Sequence, residues 1–295
     1  MKVAVITYDN KGAYASNEVN EDVIVEKLLR ELALDFSFEI WSDPKVNWQE
    51  YALLLIKSPW DYFDRYAEFK TWCNKIQEIG IPTLNTMETI LWNSDKWYLK
   101  DIQDKGFPIV PTQFLKRNKP LSLEKYFKEF NTDTLVVKPT VSGGAKNTIK
   151  LKQSELKEEE GKIREWLEEE DFMVQPFLKE VAETGEYSYI FFNRNFSHAV
   201  LKSPKKGEFR VQHFFGGEIN SITPTESELS YMQQIVDGFA QNTLYARVDG
   251  VWKEGVFYLM ELELIEPYLF LFTSEKANEN YKKAIEAQVK KLLLI

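Results

Sequence analysis

The stretch VVKPTVSGGAK, residues 136–146, is the part of the chain that most constrains the fold. A β-rich run ends near Lys138, a loop with the adjacent glycines Gly143 and Gly144 follows, and a second β-rich run continues to residue 151. Adjacent glycines let the backbone approach a ligand closely. The N–H groups of such a loop can surround phosphate oxygens, and Lys138 adds a positive charge. The stretch therefore predicts a phosphate-binding loop, with a plain β-hairpin and a Ser-Gly-Gly turn as the alternative. It is not a Walker A loop.

A second informative stretch is RVDGVWKEGVFYLMELELIEP, residues 247–267, which carries a set of carboxylates. Asp249 ends one predicted strand, and Glu261 and Glu263 are two residues apart on the next, so their side chains share a face. Carboxylates that face one pocket repel one another unless a cation neutralises them, and hard oxygen ligands suit Mg²⁺. The apolar residues around them favour burial, which is costly without a metal. An exposed acidic strand face is the alternative.

The remaining chain reads as a mixture of strands and helices. β-rich runs at 2–8, 36–41 and 51–58 alternate with helical patterns at 23–33 and 66–79. This order predicts a Rossmann-like parallel sheet at the N-terminus. Helical segments broken near Asn93, two hairpins and a C-terminal helix follow. No repeat or long linker interrupts the pattern.

Composition excludes several classes of protein. The chain has 295 residues and a net charge of −9, which argues against a general nucleic-acid binder because phosphate backbones favour a basic surface. No apolar run exceeds about six residues, far short of the ~20 that a membrane helix needs. The single cysteine, Cys73, cannot form an internal disulfide and fits a reducing compartment. We therefore expect a soluble, cytoplasmic protein with no membrane or nucleic-acid partner. Whether it forms a homodimer is left open.

Taken together, the motifs between residues 87 and 267 resemble the ATP-grasp superfamily, in particular its glutathione-synthetase and D-alanine ligase branches. They occur in the order that the superfamily uses: a lysine after N-S-D (Lys96), V-V-K-P, the glycine loop, Q-P-F-L, G-E, R-V-D and E-x-E-x-x-x-P. Each motif alone is weak. Lys96, for example, is one helical turn from Lys100, and lysines on a helix surface usually face solvent. The ordered series of motifs is nevertheless specific. The resemblance implies that ATP and Mg²⁺ or Mn²⁺ bind.

The resemblance also implies a role for each matching residue. Lys96, Lys138 and the loop of Ser142, Gly143 and Gly144 would contact ATP phosphates. The adenine hinge would be formed by Gln175, Pro176, Phe177 and Leu178, and Glu186 would bind the ribose. The metal ligands would be Asp249, Glu261 and Glu263. The superfamily usually has asparagine where this chain has Glu263, which adds one negative charge but keeps an oxygen ligand.

The N-terminal part resembles the O-ureido-serine cyclo-ligase group of cycloserine biosynthesis. That group has an R-S-x-W-D-Y segment, which here reads KSPWDY, residues 57–62. Its position after a predicted strand favours substrate contact by Lys57, Trp60, Asp61 and Tyr62, because loops at strand C-termini face the ligand crevice. Lysine cannot reproduce the bidentate grip of arginine on a carboxylate. A helix-start loop with Asp61 as N-cap is the alternative.

These observations predict an α/β protein of the ATP-grasp type. We expect a Rossmann-like N-terminal domain (1–86) followed by two α+β subdomains, 87–173 and 174–295, that sandwich ATP. The predicted reaction activates a small amino-acid-like carboxylate as an acyl phosphate, which an amine attacks, either in the same molecule or in another, with release of ADP and phosphate. Arg210 and Arg247 would neutralise the substrate carboxylate or acyl phosphate. A peptide ligase or macrocyclase, and a nucleotide-binding protein without turnover, are the rival interpretations.

Overall fold

The computed structural model describes residues 1–10, 20–205 and 217–294. Its first unit is a four-stranded sheet of order β2-β1-β3-β4 in which the paired strands are parallel. The strands are β1 (Lys2–Thr7), β2 (Asp35–Ile40), β3 (Leu53–Ser58) and β4 (Thr83–Leu84). All six side chains of β3 are buried, as expected for a parallel strand covered on both faces. The Rossmann-like start predicted from the sequence is thus confirmed.

Two helices flank this sheet. Helix α1 (Glu21–Glu31) begins after Asn20, whose side chain accepts a hydrogen bond from the Asp22 N–H at 3.0 Å. Helix α2 (Tyr66–Ile79) ends at Gly80, whose φ of +77° closes the helix in the left-handed conformation that glycine adopts without strain. Both helices bury one apolar stripe, which explains the spacing of their apolar residues.

The second unit is an antiparallel sheet of order β5-β8-β6-β7. Its strands are β5 (Gln113–Leu115), β6 (Thr134–Pro139), β7 (Ile149–Lys152) and β8 (Phe172–Pro176). Helices α3 (Met87–Asn93) and α4 (Tyr98–Asp104) lead into it, and α5 (Glu124–Glu129) and α6 (Leu156–Glu169) pack on it. The hairpin of β6 and β7 carries the glycine loop. The predicted boundary between residues 173 and 174 falls inside β8, which belongs entirely to this sheet.

The third unit is a five-stranded antiparallel sheet of order β11-β10-β9-β12-β13. Its strands are β9 (Glu186–Phe192), β10 (Asn195–Ser203), β11 (Glu218–Ile222), β12 (Tyr245–Lys253) and β13 (Val256–Glu263). The helices of this unit are α7 (Lys179–Glu183), α8 (Glu226–Phe239) and α9 (Glu275–Leu293). The sequence pattern missed α7 because one short turn of helix has no measurable periodicity.

The first and third units share a core, and the second sheet has an apolar cluster of its own with α5 and α6. One face of the first sheet packs against α1, α9 and apolar residues of β9, β10 and β12 in a single cluster. A second cluster lies between the third sheet, α4 and α8, and a third surrounds α2. Among the residues described, no helix has both the length and the apolarity needed to cross a membrane. The Tyr245 hydroxyl lies within hydrogen-bond distance of the Ile56 carbonyl in β3 and of the Ile265 carbonyl after β13, so the ends of these two strands meet, close to the charged residues.

Candidate active site

One face of the third sheet carries a row of charged side chains. On the antiparallel strands β12 and β13, Asp249 lies opposite Glu261 and Arg247 lies opposite Glu263. Residues two apart on a strand share a face, and opposite residues of an antiparallel pair share it too. The four side chains predicted from the R-V-D and E-x-E motifs therefore project from the same side of the sheet.

Asp249 is the buried centre of this row. It accepts hydrogen bonds from the Arg247 guanidinium at 2.7–3.1 Å, from the Ser188 hydroxyl at 2.7 Å and from the Lys202 ammonium at 3.1 Å. Burial alone would raise the pKa of Asp249, but the Arg247 and Lys202 cations outweigh burial and hold the pKa well below its ordinary value. Asp249 is therefore an ionised group whose oxygens are already occupied by three partners.

Glu261 is placed between the two lysines predicted to bind phosphate. Its Oε1 lies 3.1 Å from the Lys138 ammonium and 4.0 Å from that of Lys96. The Lys96 ammonium also donates a 2.7 Å hydrogen bond to the Ser142 carbonyl, and the Lys96 backbone N–H donates to the Thr140 carbonyl. Both lysines therefore border the glycine-loop hairpin. Burial would raise the pKa of Glu261, but the charges of Lys96 and Lys138 lower it. The structure thus brings Lys96, Lys138 and Glu261 together, as the motifs predicted.

Glu263 pairs with the Arg247 guanidinium across the strands. Burial raises the pKa of Glu263 to about 8, and Arg247 offsets only part of this effect. A second guanidinium nitrogen of Arg247 donates to the Tyr268 carbonyl at 2.9 Å. Arg247 therefore fixes both carboxylates and the chain that follows β13.

The residues present suit a divalent metal that is held jointly by the protein and a bound ligand. They are less suited to a site in which the protein alone holds the metal. In the described part of the chain, no group of three or more acidic, histidine or cysteine side chains is arranged to hold an ion. Asp249 is almost completely buried, whereas Glu261 and Glu263 are 28% and 26% exposed. Mg²⁺ is commonly held by one or two carboxylates together with substrate phosphates. Glu261 and Glu263 offer such a pair, while Asp249 is engaged in positioning Arg247 and Lys202.

The glycine loop lies against the N-terminal unit. A Cβ atom at Gly143 would come within 2.4 Å of the Phe63 ring, so a larger residue there would displace the ring. Gly144 has a φ of +57°, and Lys146 forms an ion pair with Asp64. The predicted phosphate loop is therefore packed on the segment that follows β3, which brings the two predicted ligand-binding regions into contact.

The predicted adenine hinge connects β8 to α7. Gln175 is buried and donates to Thr112 at 2.9 Å, while the Phe177 ring lies beneath the Lys150 ammonium at 3.6 Å. Pro176 ends β8. Leu178 belongs to a small apolar cluster with Val181, Val251, Tyr258 and Met260. The hinge thus lies at the end of the second sheet, next to an apolar surface of the third.

Glu186, the predicted ribose-binding acid, is engaged elsewhere. It accepts a 2.6 Å hydrogen bond from Lys202, which also contacts Asp249. Burial raises the pKa of Glu186, and Lys202 offsets this only in part. Lys202 was not identified from the sequence, since a lysine at the end of the strand FSHAVLKS gives no signal by itself. Nearer the hinge, one oxygen of Glu180 is buried and has no hydrogen-bond partner among the described residues.

The structure corrects the interpretation of Lys57. Its ammonium forms a 3.0 Å ion pair with Glu21, and both side chains are 1% exposed. The Glu21 carboxylate also accepts the backbone N–H groups of Leu269 and Leu271, each at 2.8 Å. Lys57 is therefore a sealed internal group that joins α1 to the chain after β13, and it does not face a substrate.

The side chains of the other three residues of the substrate segment lie in different surroundings. Asp61 accepts a 2.6 Å hydrogen bond from the Trp41 indole, and Tyr62 is buried among aromatic rings, including that of Phe69. Helix α2 begins after Arg65, so Asp61 is not its N-cap. Trp60 is only half-buried, and its indole N–H donates to the Glu266 carbonyl at 3.1 Å. Burial raises the pKa of the Tyr62 hydroxyl, and the nearby charges of Glu266, Glu261 and Glu263 add to this effect. Of the four predicted residues, Trp60 and Tyr62 therefore reach the region of the site.

Residues 265–269, which we call the 265–269 segment, connect these regions. Each of its carbonyl oxygens lies within hydrogen-bond distance of a side chain from another part of the chain. The donors, in the order of the carbonyls, are Tyr245, Trp60, Lys57, Arg247 and His198, at 2.6, 3.1, 3.4, 2.9 and 2.9 Å. The segment is thereby fixed between the N-terminal unit and the charged row.

Arg210, the second predicted catalytic arginine, lies outside the described residues.

Comparisons with known proteins agree with this fold. Residues 3–85 match the family model described as the N-terminal domain of D-cycloserine synthetase DcsG. The cycloserine biosynthesis protein DcsG of Streptomyces lavendulae is 24% identical over 265 residues, which are 85% of this chain and 87% of that protein. The crystal structure of D-cycloserine synthetase DcsG superimposes with a TM-score of 0.85 at 22% identity, covering 98% and 99% of the two chains.

Other solved structures share the fold at lower identity. D-alanine–D-alanine ligase from Bacillus anthracis, complexed with ATP, has a TM-score of 0.69 at 17% identity and covers 99% of this chain and 97% of its own. The ATP-grasp ligase PsnB, complexed with a minimal precursor, Mg and ADP, has a TM-score of 0.63 at 15% identity, with 98% of each chain covered. The chain therefore has the fold of these ATP-grasp ligases. The ATP-grasp fold predicted from the sequence is thus confirmed, and the enzyme class and the individual site residues stay predictions.

Proposed function

We propose that this ATP-grasp homologue forms a carbon–nitrogen bond by activating a small amino-acid-like carboxylate with ATP. The observation that carries the proposal is the position of Glu261, which lies between Lys96 and Lys138 beneath the glycine-loop hairpin. Two lysines and a loop of backbone N–H groups suit a polyphosphate, and the neighbouring carboxylates suit its metal. The similarity to DcsG and to D-alanine–D-alanine ligase supports the same class of reaction.

In the first step, an oxygen of the substrate carboxylate would attack the γ-phosphorus of ATP. The bond from the γ-phosphorus to the bridging oxygen breaks, and ADP leaves with the electron pair. Lys96 and Lys138 would exchange their contacts with Glu261 for phosphate oxygens, and Gly143 and Gly144 would allow close approach of the loop. The chain's own contribution is to hold two anions together, which depends on fixed positive charge and positioning.

A divalent metal would be held by Glu261 and Glu263 together with the nucleotide. Mg²⁺ or Mn²⁺, when bound, supplies positive charge that offsets the phosphate oxygens. Asp249 would keep Arg247 and Lys202 oriented toward the same anions, because its carboxylate binds both cations in this structure.

In the second step, an amine nitrogen would attack the acyl carbon of the acyl phosphate. The carbon–oxygen bond then breaks, phosphate leaves with the electron pair, and the nitrogen loses a proton. Arg247, and Arg210 if it reaches the site, would neutralise the oxygens on which negative charge develops. The amine could belong to the same molecule, as in a cyclisation, or to a second small molecule.

Two rival functions remain to be tested. A peptide ligase or macrocyclase is favoured by the similarity to PsnB, which has been solved with a peptide precursor. The second rival is a nucleotide-binding protein that has no ligase turnover. We retain the cytoplasmic location as part of the proposal, because the single cysteine is buried and unpaired.

The decisive experiment measures ADP and phosphate released from ATP in the presence of Mg²⁺. The panel contains alanine and serine in both stereochemical forms, as single acids and with hydroxylamine as a nucleophile, and a set of short peptides. The acid that gives turnover is then labelled with ¹⁸O in its carboxylate. Acyl phosphate formation transfers one ¹⁸O to the released phosphate.

Release of phosphate without label would contradict an acyl phosphate, and turnover with peptides alone would favour the peptide ligase. Nucleotide binding without any turnover would favour a nucleotide-binding protein that has no ligase activity. Excess chelator should abolish activity, and full activity in chelator would remove the metal from the proposal.

A further inference from the structure

The side chain of Glu266 is the exception in the charged row. Every other carboxylate of the cleft forms an ion pair: Glu186 and Asp249 with Lys202, Glu261 with Lys138, and Glu263 with Arg247. Glu266 forms no ion pair with a described residue, and its carboxylate has only its own backbone N–H as a hydrogen-bond donor among them. Among the described residues, Glu266 is therefore a carboxylate of the cleft without a cationic partner.

The backbone of Glu266 is nevertheless held firmly. Its carbonyl accepts the Trp60 indole N–H at 3.1 Å, and the carbonyls on either side bond Tyr245 and Lys57. The side chain is only partly exposed. Three side chains therefore fix the backbone from which the Glu266 carboxylate projects, which pre-organises this position for a ligand.

The cations that act on Glu266 through space are committed elsewhere. Lys96 and Arg247 are the cations with the largest electrostatic effect on its pKa. Lys96 bonds the Ser142 carbonyl, and Arg247 bonds Asp249 and Glu263. Within the described residues, no side chain is left to neutralise Glu266, which makes its carboxylate a candidate partner for a cationic group of a ligand.

We propose that Glu266 binds the amino group of the substrate and selects amino acids over acids that lack the amine. This inference rests on the proposed function, since it places the substrate carboxylate toward Lys96 and Lys138 and the amine toward the 265–269 segment. The Trp60 ring would form a flat apolar surface beside the bound amine. Asp61, for which the sequence predicted substrate contact, is already bonded to Trp41.

Electrostatics supports this assignment. Burial raises the pKa of Glu266 to about 7, with the neighbouring Glu261 adding to the effect and Lys96 and Arg247 opposing it. A bound ammonium would stabilise the ionised carboxylate, because an opposite charge within a few ångströms favours the charged form. A deaminated acid offers no such gain and would leave the carboxylate buried without a partner, which is costly.

The test compares binding of matched ligands and does not require turnover. Alanine and serine, in both stereochemical forms, are titrated by calorimetry into protein saturated with ADP and Mg²⁺, and D- and L-lactate and glycerate are titrated in parallel. In wild type, one amino acid should bind at least tenfold more tightly than its hydroxy acid. In Glu266→Gln that preference should fall about tenfold to a hundredfold, as expected for a lost charge-assisted contact.

Three controls make the result specific. Glu158→Gln removes the same charge from the exposed face of α6 and should leave the preference unchanged. The affinity of Glu266→Gln for ADP should match wild type, which shows that the fold and the phosphate site are intact. Glu266→Asp, which keeps the charge, should retain part of the preference.

The proposal is overturned if Glu266→Gln keeps the wild-type preference, if wild type binds amino and hydroxy acids equally or not at all, or if the variant loses ADP instead. The last outcome would assign Glu266 to the nucleotide and metal. Amino-acid binding that depends on Glu266 but is followed by no phosphate release would instead contradict the proposed function and leave the assignment of Glu266 standing.

Discussion

Two lysine–glutamate pairs near strand ends have nearly the same length but different surroundings. Lys57 and Glu21 are 3.0 Å apart with both side chains 1% exposed, and Lys138 and Glu261 are 3.1 Å apart but 11% and 28% exposed. Glu21 also accepts two backbone N–H groups, whereas Lys138 and Glu261 border the cleft. The comparison teaches that the length of an ion pair does not reveal its role. Access to the pair, and the number of other bonds that its members make, separate a structural pair from one that a ligand can open.

The largest effect is expected at the sealed pair. In Lys57→Met, Glu21 would keep a buried charge without its cation, so the free energy of unfolding should fall by about 3–5 kcal/mol. Urea unfolding followed by tryptophan fluorescence measures the loss. Nucleotide affinity of the protein that remains folded should be unchanged. A variant as stable as wild type would mean that the pair is dispensable for the fold.

The pair in the cleft should behave in the opposite way. Lys138→Met should weaken ATP binding roughly tenfold to a hundredfold, because a charge-assisted contact is worth about 1.5–3 kcal/mol. Its free energy of unfolding should stay near that of wild type. Lys128→Met, on the exposed side of α5, is the control for loss of a lysine. Unchanged ATP affinity in Lys138→Met would displace the phosphate site from this hairpin.

A third variant tests the contact between the glycine loop and the N-terminal unit. Gly143→Ala would place a Cβ within 2.4 Å of the Phe63 ring, and overpacking of this kind costs about 1–3 kcal/mol. We expect lower ATP affinity or lower stability in Gly143→Ala, and recovery in the double variant Gly143→Ala/Phe63→Ala. Phe63→Ala alone controls for loss of the ring. Failure of the double variant to recover would show that Gly143 is needed for its backbone and not for its contact.

The smallest effect concerns pH. Burial lowers the pKa of His198, although its bond to the Leu269 carbonyl opposes this effect. A group with a lowered folded-state pKa binds its proton more readily in the unfolded chain, so its contribution to stability is complete above about pH 6.5 and is lost as the pH falls. The free energy of unfolding should decrease by up to about 1.4 kcal/mol per pH unit below that point.

His198→Gln should reduce this slope between roughly pH 6.5 and 5. The comparison is made by urea unfolding of both proteins at each pH, so that other titrating groups cancel. Identical slopes would mean that His198 titrates alike in both states.

Local patterns were sufficient for much of the fold. The helix at 66–79 followed from apolar spacing and from Gly80, and the hairpins followed from alternation, because these signals act between residues close in sequence. The meeting of Lys138 with Glu261 followed from the order of motifs. The partners of Lys57 could not be predicted, since Glu21 precedes it by 36 residues and the Pro267 carbonyl follows it by 210. Lys202 was missed for the same reason, because its partners lie on two other strands.

The 265–269 segment shows where the information for a loop's shape is stored. Its five carbonyls are recognised by side chains at positions 57, 60, 198, 245 and 247, and a carbonyl is the same group whatever side chain its residue carries. Substitutions within the segment, such as at Tyr268, should therefore be tolerated better than substitutions at the distant donors. The conformation of this loop is encoded mainly outside the loop itself.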